Sequence, residues 1–209
     1  MNKVLYIIVA IVALGFGAFI FNQANKVAAP EHALYYKQAR ELAPFELTSH
    51  HDKSFSNQHL KGQWSWVFFG YTSCPDVCPT TLQELNFVYP ELKEIASNTQ
   101  VLLVSVDPLR DNTQKLSQYI NYFNDEFYAL TAGHDVLYPF ARNMGLMYAI
   151  VDDTEQESYL VDHSASMVLV NPEGNIAAIF KPKHELGQLP TISGDDLVAD
   201  FEKIVALAN

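Results

Sequence analysis

The stretch "WSWVFFG", Trp64 to Gly70, constrains this chain more than any other. It is a nearly unbroken apolar, aromatic-rich run, closed by glycine and too short for a buried helix. That composition reads as a strand buried on both faces, which obliges the rest of the chain to supply cover on two sides. The cover is readable. In "TTLQELNFVYPELKEIA", Leu82, Leu85, Val88, Leu92 and Ile95 keep helical spacing, Pro79 is placed as the first helical residue, and Pro90 is expected to kink or divide the helix. "VLLVSV" (101–106) reads as a second buried strand. Segment 113–123 reads as helix, 128–130 as a short strand, 134–144 as helix and 146–151 as extended chain. "SMVLVNPEGNIAAIF" has two apolar runs around the turn Asn171–Gly174, a hairpin pattern. "SGDDLVADFEKIVALA" is an amphipathic helix with Ser193 as its N-cap and acids in its first turn. Strand–helix–strand followed by hairpin and helix is the order of a thioredoxin-like α/β fold, in which a reactive loop leaves a central strand and opens a helix.

The two ends of the chain are different materials. Val4 to Phe21 carries no charge, and 18 residues at about 1.5 Å each make about 27 Å, close to the hydrocarbon thickness of a bilayer. This reads as an N-terminal transmembrane anchor. A cleaved signal segment competes with it: Val27-Ala28-Ala29 offers a small-residue site, but Pro30 follows and the apolar run exceeds a signal core. Lys3 before the run and Lys26 after it weakly favour a cytoplasmic N-terminus, with the bulk of the chain extracytoplasmic. Residues 1–29 are thus anchor and the start of a linker, 30–44 a juxtamembrane linker, and 45–209 one folded domain. Within that domain "FELTSHHDKSF" reads as two short strands, 45–48 and 53–55, joined by a polar turn. Residues 1–29 hold two of the 13 basic residues and none of the 24 acidic ones, so the remainder sets 11 against 24, a net −13. Such a surface repels nucleic acid and anionic lipid and suits, at most, a basic protein partner.

The chemistry lies in "FFGYTSCPDVCP", which holds the chain's two cysteines, Cys74 and Cys78. At the junction of a buried strand and a helix N-terminus, free N–H groups and the helix dipole favour thiolate, the reactive form in disulfide exchange and the form that binds soft metals. A disulfide closing so short a loop adds little stability. Thioredoxin-type oxidoreductases separate their cysteines by two residues; here Pro75, Asp76 and Val77 intervene, which weakens that reading without removing it. Two thiolates completed by an imidazole suit Cu(I) better than a closed zinc site. Of seven histidines, His32, His50, His51, His59 and His184 sit in polar turns or surface segments and His134 at a helix start. His163 in "YLVDHSASMVLV" stands just before the hairpin, with Asp162 beside it as a candidate to hydrogen-bond the imidazole and set its tautomer.

Three motifs in order, "FGYTSCPDVCPTTL", "SVDPLRD" and "VDHSASMVLVNPEG", resemble the Sco/SenC proteins. The resemblance runs from about Phe45 to the C-terminus. It implies a membrane-anchored, thioredoxin-like copper chaperone serving cytochrome c oxidase assembly, with Cys74, Cys78 and His163 as ligands of one copper ion. It also implies an upstream copper donor and oxidase subunit II as partners, the latter receiving copper or having its own cysteines reduced. Asp107 falls at the family's acidic position near the site. Thiol–disulfide oxidoreduction on a partner's cysteines is the alternative function. Peroxide reduction is a third, supported by fold analogy alone.

Overall fold

A computed structural model describes residues 2–24, 27–150, 159–183 and 189–208. In chain order the elements are α1 (Asn2–Ala24), β1 (Ala33–Arg40), β2 (Glu46–Ser49), β3 (Ser54–Ser56), β4 (Trp64–Gly70), α2 (Val77–Ile95), β5 (Thr99–Ser105) and α3 (Thr113–Phe123). They continue with β6 (Tyr128–Thr131), α4 (His134–Met144), β7 (Tyr148–Ile150), β8 (Val161–His163), β9 (Met167–Val170), β10 (Ile176–Phe180) and α5 (Gly194–Ala208). Eight strands form one sheet in the order β1-β10-β9-β4-β5-β6-β2-β3. Strands β4, β5 and β6 are parallel, and the rest pair antiparallel. The remaining two, β7 and β8, form a separate ribbon that sets Tyr148 opposite His163.

Strand β4 is buried along its whole length, as its composition demands. Trp64 and Trp66 meet Phe201 of α5 edge-on, at 5.5 and 5.3 Å between ring centroids, while Phe69 meets Phe140 of α4 at 5.8 Å. Alternation along the strand therefore sends even positions to one helix layer and odd positions to the other. The thioredoxin-like α/β plan holds. The hairpin turns where expected, with Gly174 at φ 79°, a conformation glycine adopts without strain. The end of the 146–151 segment at Val151 lies outside the described residues.

Strands β2, β3 and β5 lie within one or two residues of their expected ranges, and further differences stand elsewhere. Helix α2 begins at Val77, ahead of Pro79, so Cys78 is already in its first turn; it runs unbroken past Pro90. The segment 30–44 is not mere linker: β1 is the edge strand of the main sheet, pairing Ala33 with Phe180. Its polar residues hid it, since an edge strand needs only half its side chains inward. Among the described residues no helix is long and apolar enough to cross a membrane. The side chains at 4 and 19, both inside the apolar run of α1, lie outside that set.

One buried carboxylate fastens β1. Asp200 of α5 accepts from the backbone N–H groups of Glu31, His32 and Ala33 at 2.9, 2.6 and 2.9 Å. Burial works to raise its pKa, but the three N–H groups and Lys203 outweigh that and hold it below the ordinary carboxylate value. A depressed folded-state pKa contributes stability above the unfolded value, lost as pH falls through the folded one. Asp200→Ala is expected to cost about 3 kcal/mol in urea unfolding at pH 7, because three part-buried donors lose a charged acceptor. The difference between parent and variant should shrink as pH falls below the ordinary carboxylate value of about 4 and close only once the parent's depressed carboxylate protonates.

Candidate metal centre

The site assembles where the chain leaves β4. Val106 N–H donates to Gly70 O at 2.9 Å, and Cys74 N–H to Tyr71 O at 3.2 Å, turning the chain back on itself. Helix α2 then starts beneath it, and its Cys78 N–H points at Cys74 Sγ, 3.4 Å away. Cys74 is half-exposed and Cys78 fully buried. From the other side, β8 delivers His163, whose Nε2 lies 3.3 Å from Cys78 Sγ. Both sulfurs and an imidazole nitrogen lie within 4.8 Å of one another. A three-coordinate ion about 2.2 Å from each donor would hold them about 3.8 Å apart, so the cluster suits a single soft ion with little movement.

The two thiols, alike in sequence, differ in charge. The hydrogen bond from the Cys78 thiol is the main cause that lowers Cys74 to about 4; burial opposes it, and His163 with the backbone N–H groups of Cys78 and Asp76 adds to it. Burial, then the neighbouring Cys74 sulfur, pushes Cys78 far up. Cys74 is thus a thiolate at neutral pH and Cys78 a thiol. His163 Nδ1 faces the Ser164 carbonyl at 3.3 Å. A carbonyl only accepts, so Nδ1 carries a proton, and Nε2 is the nitrogen turned to the sulfurs, open to metal when it is not donating to the Cys74 thiolate.

The tautomer partner expected from sequence was Asp162. That side chain is exposed, and the main-chain carbonyl of Ser164 takes the role instead. Asp107 is fully buried. It accepts from Tyr159 Oη and from Arg110 Nε. The Arg110 guanidinium lies 3.5 Å over the Tyr159 ring and 5.6 Å from the Tyr71 ring. Tyr71 Oη accepts from Val161 N–H at 3.4 Å, and its ring meets the His163 imidazole edge-on at 5.8 Å. Asp107 therefore connects to the chain that carries His163 and does not touch the sulfurs.

Asp111 went unread in the sequence, though "DPLRD" contains it. Its buried carboxylate accepts from Thr72 N–H at 2.9 Å, Thr72 Oγ1 at 2.5 Å and Ser105 Oγ at 2.8 Å, tying the cysteine loop to the end of β5. The other histidines stand elsewhere. His50 is buried and accepts from Ala129 N–H at 3.1 Å. His134 meets Tyr148 Oη at 2.8 Å, His59 caps a short turn through Ser56 N–H, and His184 lies outside the described residues.

The centre opens into a cavity of about 370 Å³ walled by Tyr71, Cys74, Pro75, Leu160, His163 and Leu189. Cys74 reaches it; Cys78 lies behind. Alkylation of the reduced protein by iodoacetamide should therefore mark Cys74 and spare Cys78. The rate should hold down to about pH 5 and fall as pH drops through 4, since only thiolate reacts. Cys78→Ala removes the main cause of the shift and should move the midpoint up by more than one pH unit, read by mass spectrometry.

A family model described as SCO1/SenC matches residues 35–191. A protein of Stutzerimonas stutzeri named for copper binding is 35% identical over 174 residues, covering 83% of this chain and 81% of its own. The human mitochondrial SCO1 homolog is 31% identical over 148 residues, 70% of this chain; the match spans about half of the human protein (49%). Among solved structures, Arabidopsis thaliana ScoI with copper bound superposes with a TM-score of 0.69 at 29% identity, over 78% of this chain and 97% of that one.

Proposed function

The chain belongs to the SCO1/SenC family, and from that premise we propose that it is a copper-binding chaperone whose cargo is held by Cys74 Sγ, Cys78 Sγ and His163 Nε2. The observation that carries this reading is the donor set: two sulfurs and an imidazole nitrogen within 4.8 Å, with the tautomer set by Ser164 so that Nε2 faces the sulfurs. Thiolate and imidazole together select a soft or borderline ion, and a cavity open on one side lets it enter and leave. Copper, as cargo, supplies the chemistry of the receiving enzyme; this chain's residues bind it, keep one thiol ionised and shield the other.

The destination is cytochrome c oxidase, with subunit II as recipient and an upstream protein as donor. Helix α1 serves as the membrane anchor. Leu5, Ile7, Ile8, Val9, Ile11, Val12, Leu14 and Phe16 are all exposed on it, and a helix whose described apolar side chains are not covered by its own domain has lipid as its natural cover. The folded domain lies on the extracytoplasmic side, where its acidic surface meets protein partners.

The second reading, reduction of a partner's disulfide, is favoured by one observation: an accessible Cys74 thiolate with a buried, protonated Cys78 behind it is the arrangement of an attacking and a resolving thiol. The two readings separate at His163. Competition between the reduced domain and a Cu(I) chelator should show one tight equivalent. His163→Ala should weaken it by more than about 100-fold, since even residues supporting a ligand cost 10–100-fold. Full affinity in that variant would overturn the three-donor site, and undiminished disulfide reduction by it would favour the oxidoreductase.

A further inference from the structure

The register of the main sheet places the membrane tether and the metal centre at the same end of the domain. Ala33 pairs with Phe180, Phe180 with Met167, and Met167 with Phe68. These four residues form one row across β1, β10, β9 and β4, two residues short of Gly70, where the cysteine loop begins. Three strand spacings of about 4.8 Å separate β1 from β4, about 14 Å in all. The tether is fastened just before that row: Asp200 holds the N–H groups of Glu31, His32 and Ala33, and Lys203 meets Glu31 at 2.8 Å. Between the end of α1 at Ala24 and the first fastened residue, Glu31, are seven residue steps, at most about 25 Å at full extension.

On the reading of α1 as an anchor, we propose that the Cys74–Cys78–His163 end of the domain faces the bilayer. The matching partner is then a metal-accepting site on a membrane-held protein, standing within about 25 Å of the lipid surface. Turning the domain over would require the tether to run alongside the sheet for the length of β4, about 20 Å, which uses up nearly all of its reach. The loops at this end also carry exposed apolar side chains, Leu109, Leu160 and Leu189, suited to a protein surface. The net −13 of the domain is unsuited to anionic headgroups.

The test uses the full chain in lipid nanodiscs with an energy-transfer acceptor on the lipid headgroups. A fluorescent amino acid replaces either Leu109, at the metal end, or Glu173, in the turn at the opposite end. Each labelled protein is first checked for one equivalent of copper. Transfer from position 109 should exceed that from 173 roughly twofold or more, given the about 20 Å between the ends. An insertion of about 20 Gly/Ser residues between Ala29 and Pro30, adding about 25 Å of root-mean-square reach, should erase the difference. Association with the discs but equal or inverted transfer in the uninserted chain overturns this inference alone. Failure of the chain to associate with the discs overturns the anchor, and the inference with it.

Discussion

Everything at the metal centre depends on how closely the Cys78 sulfur approaches the end of β4. A methyl group built on Gly70 would stand 2.9 Å from that sulfur, with Phe68 and Leu103 at 3.0 and 3.2 Å. No side chain fits there, so the strand ends in glycine and the thiol fills the space. That contact sets where the first turn of α2 lies, and through it the position of Cys74 over the Cys78 N–H. It also explains why two cysteines four residues apart behave as different chemical groups. One is packed in the core, where charge is penalised; the other receives the hydrogen bonds the helix start has to offer.

Around this contact, two buried carboxylates from a single turn after β5 hold the two halves of the site. Asp111 binds Thr72, on the cysteine side. Asp107 binds Tyr159, on the histidine side, with Arg110 filling the space between it and Tyr71. Buried charge is costly unless well supplied with donors, and both carboxylates are. The result is a pair of loops, about 85 residues apart in sequence, whose donors meet without either loop supplying its own rigidity.

Much of this was legible before any coordinates. The bounds of β4, α3 and α4 follow directly from apolar run length and helical period, both local signals. The cysteines stand out because the chain has only two; His163 is set apart from six other histidines only by its place before the hairpin and by the family resemblance. What stayed hidden is non-local. Strand β1 is defined by β10, more than 130 residues away, and by a carboxylate on α5. Asp111 looks like any acid in a turn until Thr72 is placed against it. Asp162, the obvious neighbour for the imidazole, lost to a main-chain carbonyl, which leaves no mark in a sequence because every residue has one. The start of α2 was misread by two residues because Pro79, at home in a first turn, fits the third helical position as well as the first.

The position of β1 also decides what can be cut from this protein. Strand β10 is "IAAIF", buried at all five positions, and β1 is its only neighbour on that side. A fragment begun at Phe45, where sequence alone would start the folded domain, would leave β10 with a bare row of backbone groups beside an apolar surface, the kind of edge on which chains pair with one another and aggregate. The smallest unit that can be handled in solution therefore starts at Glu31 or earlier, and the stretch that looks like a leash to the membrane is part of what keeps the domain soluble.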